Sequence, residues 1–121
     1  PRIITATRSG ADPLFAADYV ITDYSTVMYE AGLMGMPVYL YAYDWDTYHE
    51  KRSFNIDLAR DVPTLFTNDA AAIMKAVALG QFDDQAFTRF TESNIATLAG
   101  ESATQHLTRH IIALAEEQPP R

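Results

Sequence analysis

Residues 19–41 constrain the fold of this chain more than any other stretch, because their hydrophobic period changes twice in a short span. Tyr19-Val20-Ile21-Thr22 is a brief apolar run of the kind that forms a buried parallel strand. Val27, Ala31 and Met34 then recur at i, i+4 and i+7, one face of an amphipathic helix, which Gly35 and Pro37 bring to a stop. Val38-Tyr39-Leu40-Tyr41 is strand-like again. Strand, helix and strand with short joints make a βαβ unit, whose crossover is expected to be right-handed. The predicted class is α/β, with a Rossmann-like parallel sheet and flanking helices.

The rest of the chain predicts elements that extend this unit. Ile3 and Ile4 suggest a first short strand, Arg8-Ser9-Gly10 a loop, and Asp12-Pro13 the start of a one- or two-turn helix through Ala17. Phe54, Ile56 and Leu58 alternate, which fits a short strand or an extended loop, and Thr64-Leu65-Phe66 is a further strand candidate. Asn68 or Asp69 caps an alanine-rich helix that runs to about Leu79, where Gly80 stops it. A helix is predicted near residues 83–92. Leu107, Ile111 and Leu114 mark a last amphipathic helix before Pro119-Pro120, and their face is expected to be ordinary core.

The 121 residues suit a single α/β domain spanning 1–121, and 48% apolar content is enough for a core. The strand-like opening at Pro1, without an initiator methionine, suggests a piece of a longer enzyme. A net charge of −7, with acids spread along the chain, argues against a nucleic-acid partner, which would need clustered Lys and Arg. With no cysteine, thiolate metal sites and disulfides are out, and a cytoplasmic setting is the natural reading. No run of about 18 apolar residues is present to span a bilayer. His106 and His110 stand at i, i+4, but no third ligand is evident nearby, so no metal and no cofactor are expected.

The turn Asp23-Tyr24-Ser25-Thr26 has two readings. Asp23 can cap the following helix, with Tyr24 shaping the joint. Alternatively the turn seats an anion, since ligands of open α/β sheets bind beyond the carboxyl ends of the strands, against helix N-termini. Ser25 and Thr26 would then donate hydroxyls to a phosphate, and Glu30, one turn on, could accept from a ribose. After the next strand, Tyr39, Tyr41, Tyr43, Trp45 and Tyr48 crowd together with Asp44, Asp46, His49, Glu50, Lys51 and Arg52. Tyr43, Asp44 and Tyr48 are candidate rim contacts, and Lys51 and Arg52 could pair with phosphate oxygens. The same residues also fit a solvated face.

Taken in combination, these residues resemble the C-terminal part of the CDP-glycerol glycerophosphotransferase family. The matching pieces are Ala17-Asp18, Thr22-Asp23-Tyr24-Ser25-Thr26, Tyr29-Glu30, Pro37, Tyr43-Asp44, Tyr48, Arg52-Ser53-Phe54 and Val62-Pro63. Ser53 stands where the family pattern has Gly, Thr64 stands where Gly follows Pro63, and Glu30 replaces the usual Asp. The resemblance implies the nucleotide-donor-binding half of a GT-B-type transferase, with a further N-terminal domain as partner. It implies Ser25 and Thr26 on the donor pyrophosphate, Glu30 on the ribose and Arg52 steadying the leaving group. The substrates implied are CDP-glycerol or a related CDP-polyol and a lipid-linked polyol-phosphate acceptor, at the inner face of the cell membrane. The family's catalytic base comes earlier in its sequence, so the chain alone is expected to be inactive.

Three other readings stay open at this point. A GT-B glycosyltransferase or epimerase would bind a UDP-sugar with the same helix-terminus chemistry. A receiver-like domain would use Asp23 as phospho-acceptor, although the acidic pair and lysine it needs are not visible. The chain could also be an interaction domain without a ligand.

Overall fold

A computed structural model of the protein describes residues 12–95 and 100–117. The expected strand at Ile3–Ile4, the loop at 8–10 and Pro119-Pro120 lie outside these residues. A 3₁₀ turn, Asp12–Ala16, leads into β1 (Val20–Thr22), α1 (Val27–Leu33) and β2 (Val38–Tyr41). There follow α2 (Trp45–Lys51), α3 (Leu58–Asp61), β3 (Phe66–Thr67), α4 (Ala70–Ala78), α5 (Asp84–Asn94) and α6 (Ala103–Glu117).

Among the described residues three strands form one parallel sheet in the order β1-β2-β3. Val20 pairs with Val38 and Leu40 with Phe66, so the carboxyl ends of all three strands reach the same rim. Side chains of the central strand alternate between two covered faces. Val38 and Leu40 join Met28, Ala31, Leu58, Val62, Phe87 and Phe90 on one side, and Tyr39 joins Ile73 and Ala76 of α4 on the other. Tyr39 is therefore core rather than rim. The α/β class expected from the sequence is the class observed.

Helix ends follow from local chemistry. Asp57, Asp69 and Asp83 each accept a hydrogen bond from an amide in the first turn of the helix that follows them, at α3, α4 and α5. At the other ends, α1 and α4 close with the same paired bonds. Gly35 N–H donates to Gly32 O and Met36 N–H to Ala31 O, while Gly80 N–H donates to Val77 O and Gln81 N–H to Ala76 O. That pairing needs a left-handed residue, and Gly35 and Gly80 supply it at φ 69° and 60°.

Helix α1 is set against α5 by close approach. A Cβ at Gly32 would stand 2.3 Å from Thr91 Oγ1 and 2.9 Å from a Phe87 ring carbon, so only glycine lets the two helices come this near. Thr91 is 1% exposed, and its hydroxyl has no hydrogen-bond partner among the described residues.

Residues 45–51, where the sequence pattern assigns no element, form helix α2. Of the short strand or extended loop that residues 54–56 allow, the structure has a loop, and Leu58 opens α3. One expectation is corrected. The Leu107, Ile111 and Leu114 face of α6 is not core, since these side chains are 57%, 56% and 49% exposed and α6 buries no residue. The helix is instead fixed locally. Ser102 Oγ accepts from the Gln105 amide while Gln105 Oε1 accepts from the Ser102 amide, a reciprocal cap, and Glu101 binds Arg109 through both guanidinium nitrogens. His106 is held by the same Glu101 carboxylate. Among the described residues, no helix is long and apolar enough to cross a membrane.

Candidate functional site

The turn between β1 and α1 is built from its own side chains. Asp23 Oδ1 accepts from the Ser25 amide at 3.0 Å, and Ser25 Oγ accepts from the Val27 amide at 3.4 Å. Asp23 is thus not the cap of α1 that its position suggests. Thr26 occupies the N-cap position, and its side chain makes no capping bond. Nor are the first helical amides as free as a helix N-terminus would imply, because Met28 N–H donates to Ser25 O and Tyr29 N–H to Thr26 O in 3₁₀ fashion. What the turn leaves for a ligand is chiefly hydroxyl chemistry. Ser25 and Thr26 are both exposed, and Thr26 Oγ1 has no partner among the described residues.

Tyr24 points the other way, into an aromatic cluster. Its ring centroid lies 4.5 Å from Tyr48, 5.2 Å from Trp45, 6.0 Å from Phe54 and 6.4 Å from Phe66. Its hydroxyl donates to Asp44 Oδ1 at 3.1 Å. Burial of the ring, reinforced by the hydrogen bond to Asp44 and the negative charge there, pushes the phenol pKa well above its ordinary value. The group stays a donor at any physiological pH. Trp45 also lies nearly flat on His49, whose Nδ1–H donates to the Trp45 carbonyl.

Three open grooves run along this rim. The first, about 390 Å³, is lined by Tyr24, Thr26, Tyr29, Ser53, Phe54 and, from α5, Asn94, among others. The second, about 530 Å³, lies beyond β2 and β3 and is lined by Tyr43, Asp44, Trp45 and Asn68 with their neighbours. The third, about 720 Å³, holds His49, Arg52 and Arg60. Ser53–Ile56 lines both the first and the third, and so forms the wall between them.

The structure therefore brings some candidates together and separates others. Tyr24, Thr26 and Tyr29 share a groove, and Tyr24, Asp44 and Tyr48 form one contact network. Arg52 faces a different groove from Thr26. Glu30 is exposed on α1 and lines none of these three grooves. Tyr43 is exposed, its ring 5.8 Å from Tyr41. Thr64, at one of the two Gly positions of the family pattern, donates its hydroxyl to the Val38 carbonyl and so ties the segment before β3 to β2. Sequence reasoning missed Phe54, Asn55 and Asn94 as groove walls. Asn94 carries no local signal at all, since only the α1–α5 packing brings it there.

Residues 2–112 match the family described as CDP-Glycerol:Poly(glycerophosphate) glycerophosphotransferase. The chain belongs to this family.

Among its relatives is a teichoic acid glycerol-phosphate transferase of Staphylococcus aureus (strain NCTC 8325 / PS 47). It is 35% identical over 77 residues, covering 63% of this chain and 19% of the relative. The teichoic acid glycerol-phosphate primase of Bacillus subtilis (strain 168) is 32% identical over 66 residues, covering 54% and 17%. In fold, the wall teichoic acid polymerase TagF superposes with a TM-score of 0.58 at 23% identity, over 89% of this chain and 27% of that one. The chain thus spans less than a fifth of the length of these two curated relatives.

Proposed function

We propose that this chain is the donor-binding part of a transferase that moves a polyol phosphate from a CDP-polyol, CDP-glycerol in the first instance, to a lipid-linked teichoic acid-type acceptor. The observation that carries this reading is the β1–α1 turn. It holds the family's Thr-Asp-Tyr-Ser-Thr motif, and it leaves the Thr26 hydroxyl unengaged at the edge of an aromatic-walled groove. Relatives named as teichoic acid glycerol-phosphate and ribitol-phosphate transferases support the reaction class, and a TagF structure soaked with CDPG supports the donor class.

In this reading Thr26 and Ser25 donate to the donor's pyrophosphate, and Tyr24, Tyr29 and Phe54 supply surface for the base or sugar. An acceptor hydroxyl attacks the β-phosphorus, the P–O bond to the CMP oxygen breaks, and CMP leaves. Such transfer depends mainly on positioning and on neutralising charge. Glu30 is assigned to the ribose, and Arg52, from the neighbouring groove, to charge on the leaving nucleotide. The base that takes the acceptor proton is supplied by a further domain of the enzyme, so this chain binds without turning over. A lipid-linked acceptor sets the work at the cytoplasmic face of the membrane.

Calorimetric titration with CDP-glycerol, CMP and UDP-N-acetylglucosamine tests this. Cytidine-selective binding that falls in a Ser25→Ala, Thr26→Ala variant is the expected result. Equal or tighter binding of the UDP-sugar would overturn the donor assignment.

A further inference from the structure

The Asp44 carboxylate is used in an unusual way. It stands at the N-cap position of α2, where an aspartate ordinarily accepts from its own helix, yet it makes no such bond. The contrast lies within the same molecule, since Asp57, Asp69 and Asp83, at the N-caps of α3, α4 and α5, all bond to the helix they precede. Asp44 instead accepts from the hydroxyl of Tyr24, twenty residues away in sequence and on the neighbouring joint. Tyr24 in turn immediately precedes the two hydroxyl residues of the turn. Its ring packs against Trp45 and Tyr48 of α2 and against Phe54, which itself touches both of those rings.

Tyr24 lines the first groove and Asp44 the second, so their hydrogen bond joins the walls of the two. Among the described residues, the side chains of Asp23 and Ser25 bond only to amides of residues 25 and 27, and the carbonyls of Ser25 and Thr26 to amides of α1, all of which shape the turn locally without tying it to the sheet's next joint.

We propose that Tyr24 and Asp44 are a positioning pair: the bond across the two strand-to-helix joints holds Ser25 and Thr26 at the spacing an anionic nucleotide donor requires. This rests on the donor reading given above. Neither group touches the reacting phosphorus. They act through the turn, and Asp44 forgoes capping α2 to do so. Loss of one such hydrogen bond, at 3.1 Å, is expected to act several-fold rather than hundred-fold.

The pair is tested on the protein with two readouts: calorimetric affinity for CDP-glycerol, and hydrogen exchange at the amides of residues 25–27. Tyr24→Phe keeps the ring and removes only the donor, and is expected to weaken binding roughly five- to tenfold and to speed exchange at the turn, with the thermal midpoint little changed. Asp44→Ala should do the same, and the double variant no worse than either alone, because both remove one interaction. Asp44→Asn retains an accepting oxygen and should restore both readouts, which a general loss of stability would not. Additive losses, or unchanged exchange in Tyr24→Phe, would overturn the pair. If the wild type does not bind CDP-glycerol, the donor reading fails, and the pair's role in ordering the turn still stands or falls on the exchange arm.

Discussion

The joint between β1 and α1, residues 23–26, and the joint between β3 and α4, residues 68–69, sit on the same rim of one parallel sheet and serve helices that end alike in paired bonds around a left-handed glycine. They differ in how the helix begins. At α4 the start is sealed: Asp69 Oδ1 accepts from the Ala71 amide at 2.8 Å, and Thr67 Oγ1 accepts from the Asp69 amide. At α1 Asp23 is spent upstream, Ser25 reaches only the first helical amide, at 3.4 Å, and the N-cap hydroxyl of Thr26 makes no capping bond. A start without its N-cap bond forgoes roughly 1 kcal/mol of capping and leaves a donor for something else. Placement of α1 comes from elsewhere, through the Gly32–Thr91 approach on one flank and the Tyr24 ring on the other.

The largest expected effect comes from disturbing that approach. Gly32→Ala forces a methyl into the space held by Thr91 and Phe87, and should cost about 2–3 kcal/mol in a thermal or denaturant melt. A near-neutral result would mean that α1 is not fixed by α5, and the contrast with α4 would lose its structural basis. Next, Asp69→Ala should cost about 1 kcal/mol as a lost cap, read in the same melts. A smaller effect of opposite sign is expected from Thr91→Val, which deletes a buried hydroxyl without a partner and should be neutral or stabilising by up to about 1 kcal/mol. Smallest of all, Thr26→Ala should change stability by less than about 0.5 kcal/mol while weakening CDP-glycerol binding. If it costs as much as Asp69→Ala, the two joints are equivalent and Thr26 is only a cap.

The parts of the fold legible in the sequence are those where local chemistry and packing agree. The βαβ unit showed in the change from strand run to the Val27, Ala31, Met34 stripe and back, and α4 showed in its Asn68 or Asp69 cap and in the Gly80 that ends it. Helix α2 was illegible because Trp45 and Tyr48, half-buried, pack against Tyr24, and Trp45 also against Phe66, residues too far along the chain for a local window to contain. The apolar stripe of α6 was legible as a stripe, but periodicity fixes only which side chains share a face, not whether another element covers them. At the site, the Ser25-Thr26 motif could be read, whereas the division of the rim into separate grooves could not. That division depends on residues 53–56 standing between Arg52 and Thr26, a matter of where an irregular segment settles.

Trp45 is the chain's single tryptophan, and it lies where the rim's parts meet. It lines the second and third grooves and packs against Tyr24, which walls the first. Indole emission responds to polarity and to neighbouring rings, so the protein carries its own optical reporter at the candidate site. A titration followed in a fluorimeter would register a nucleotide entering any of the three grooves, with no label added and no residue changed.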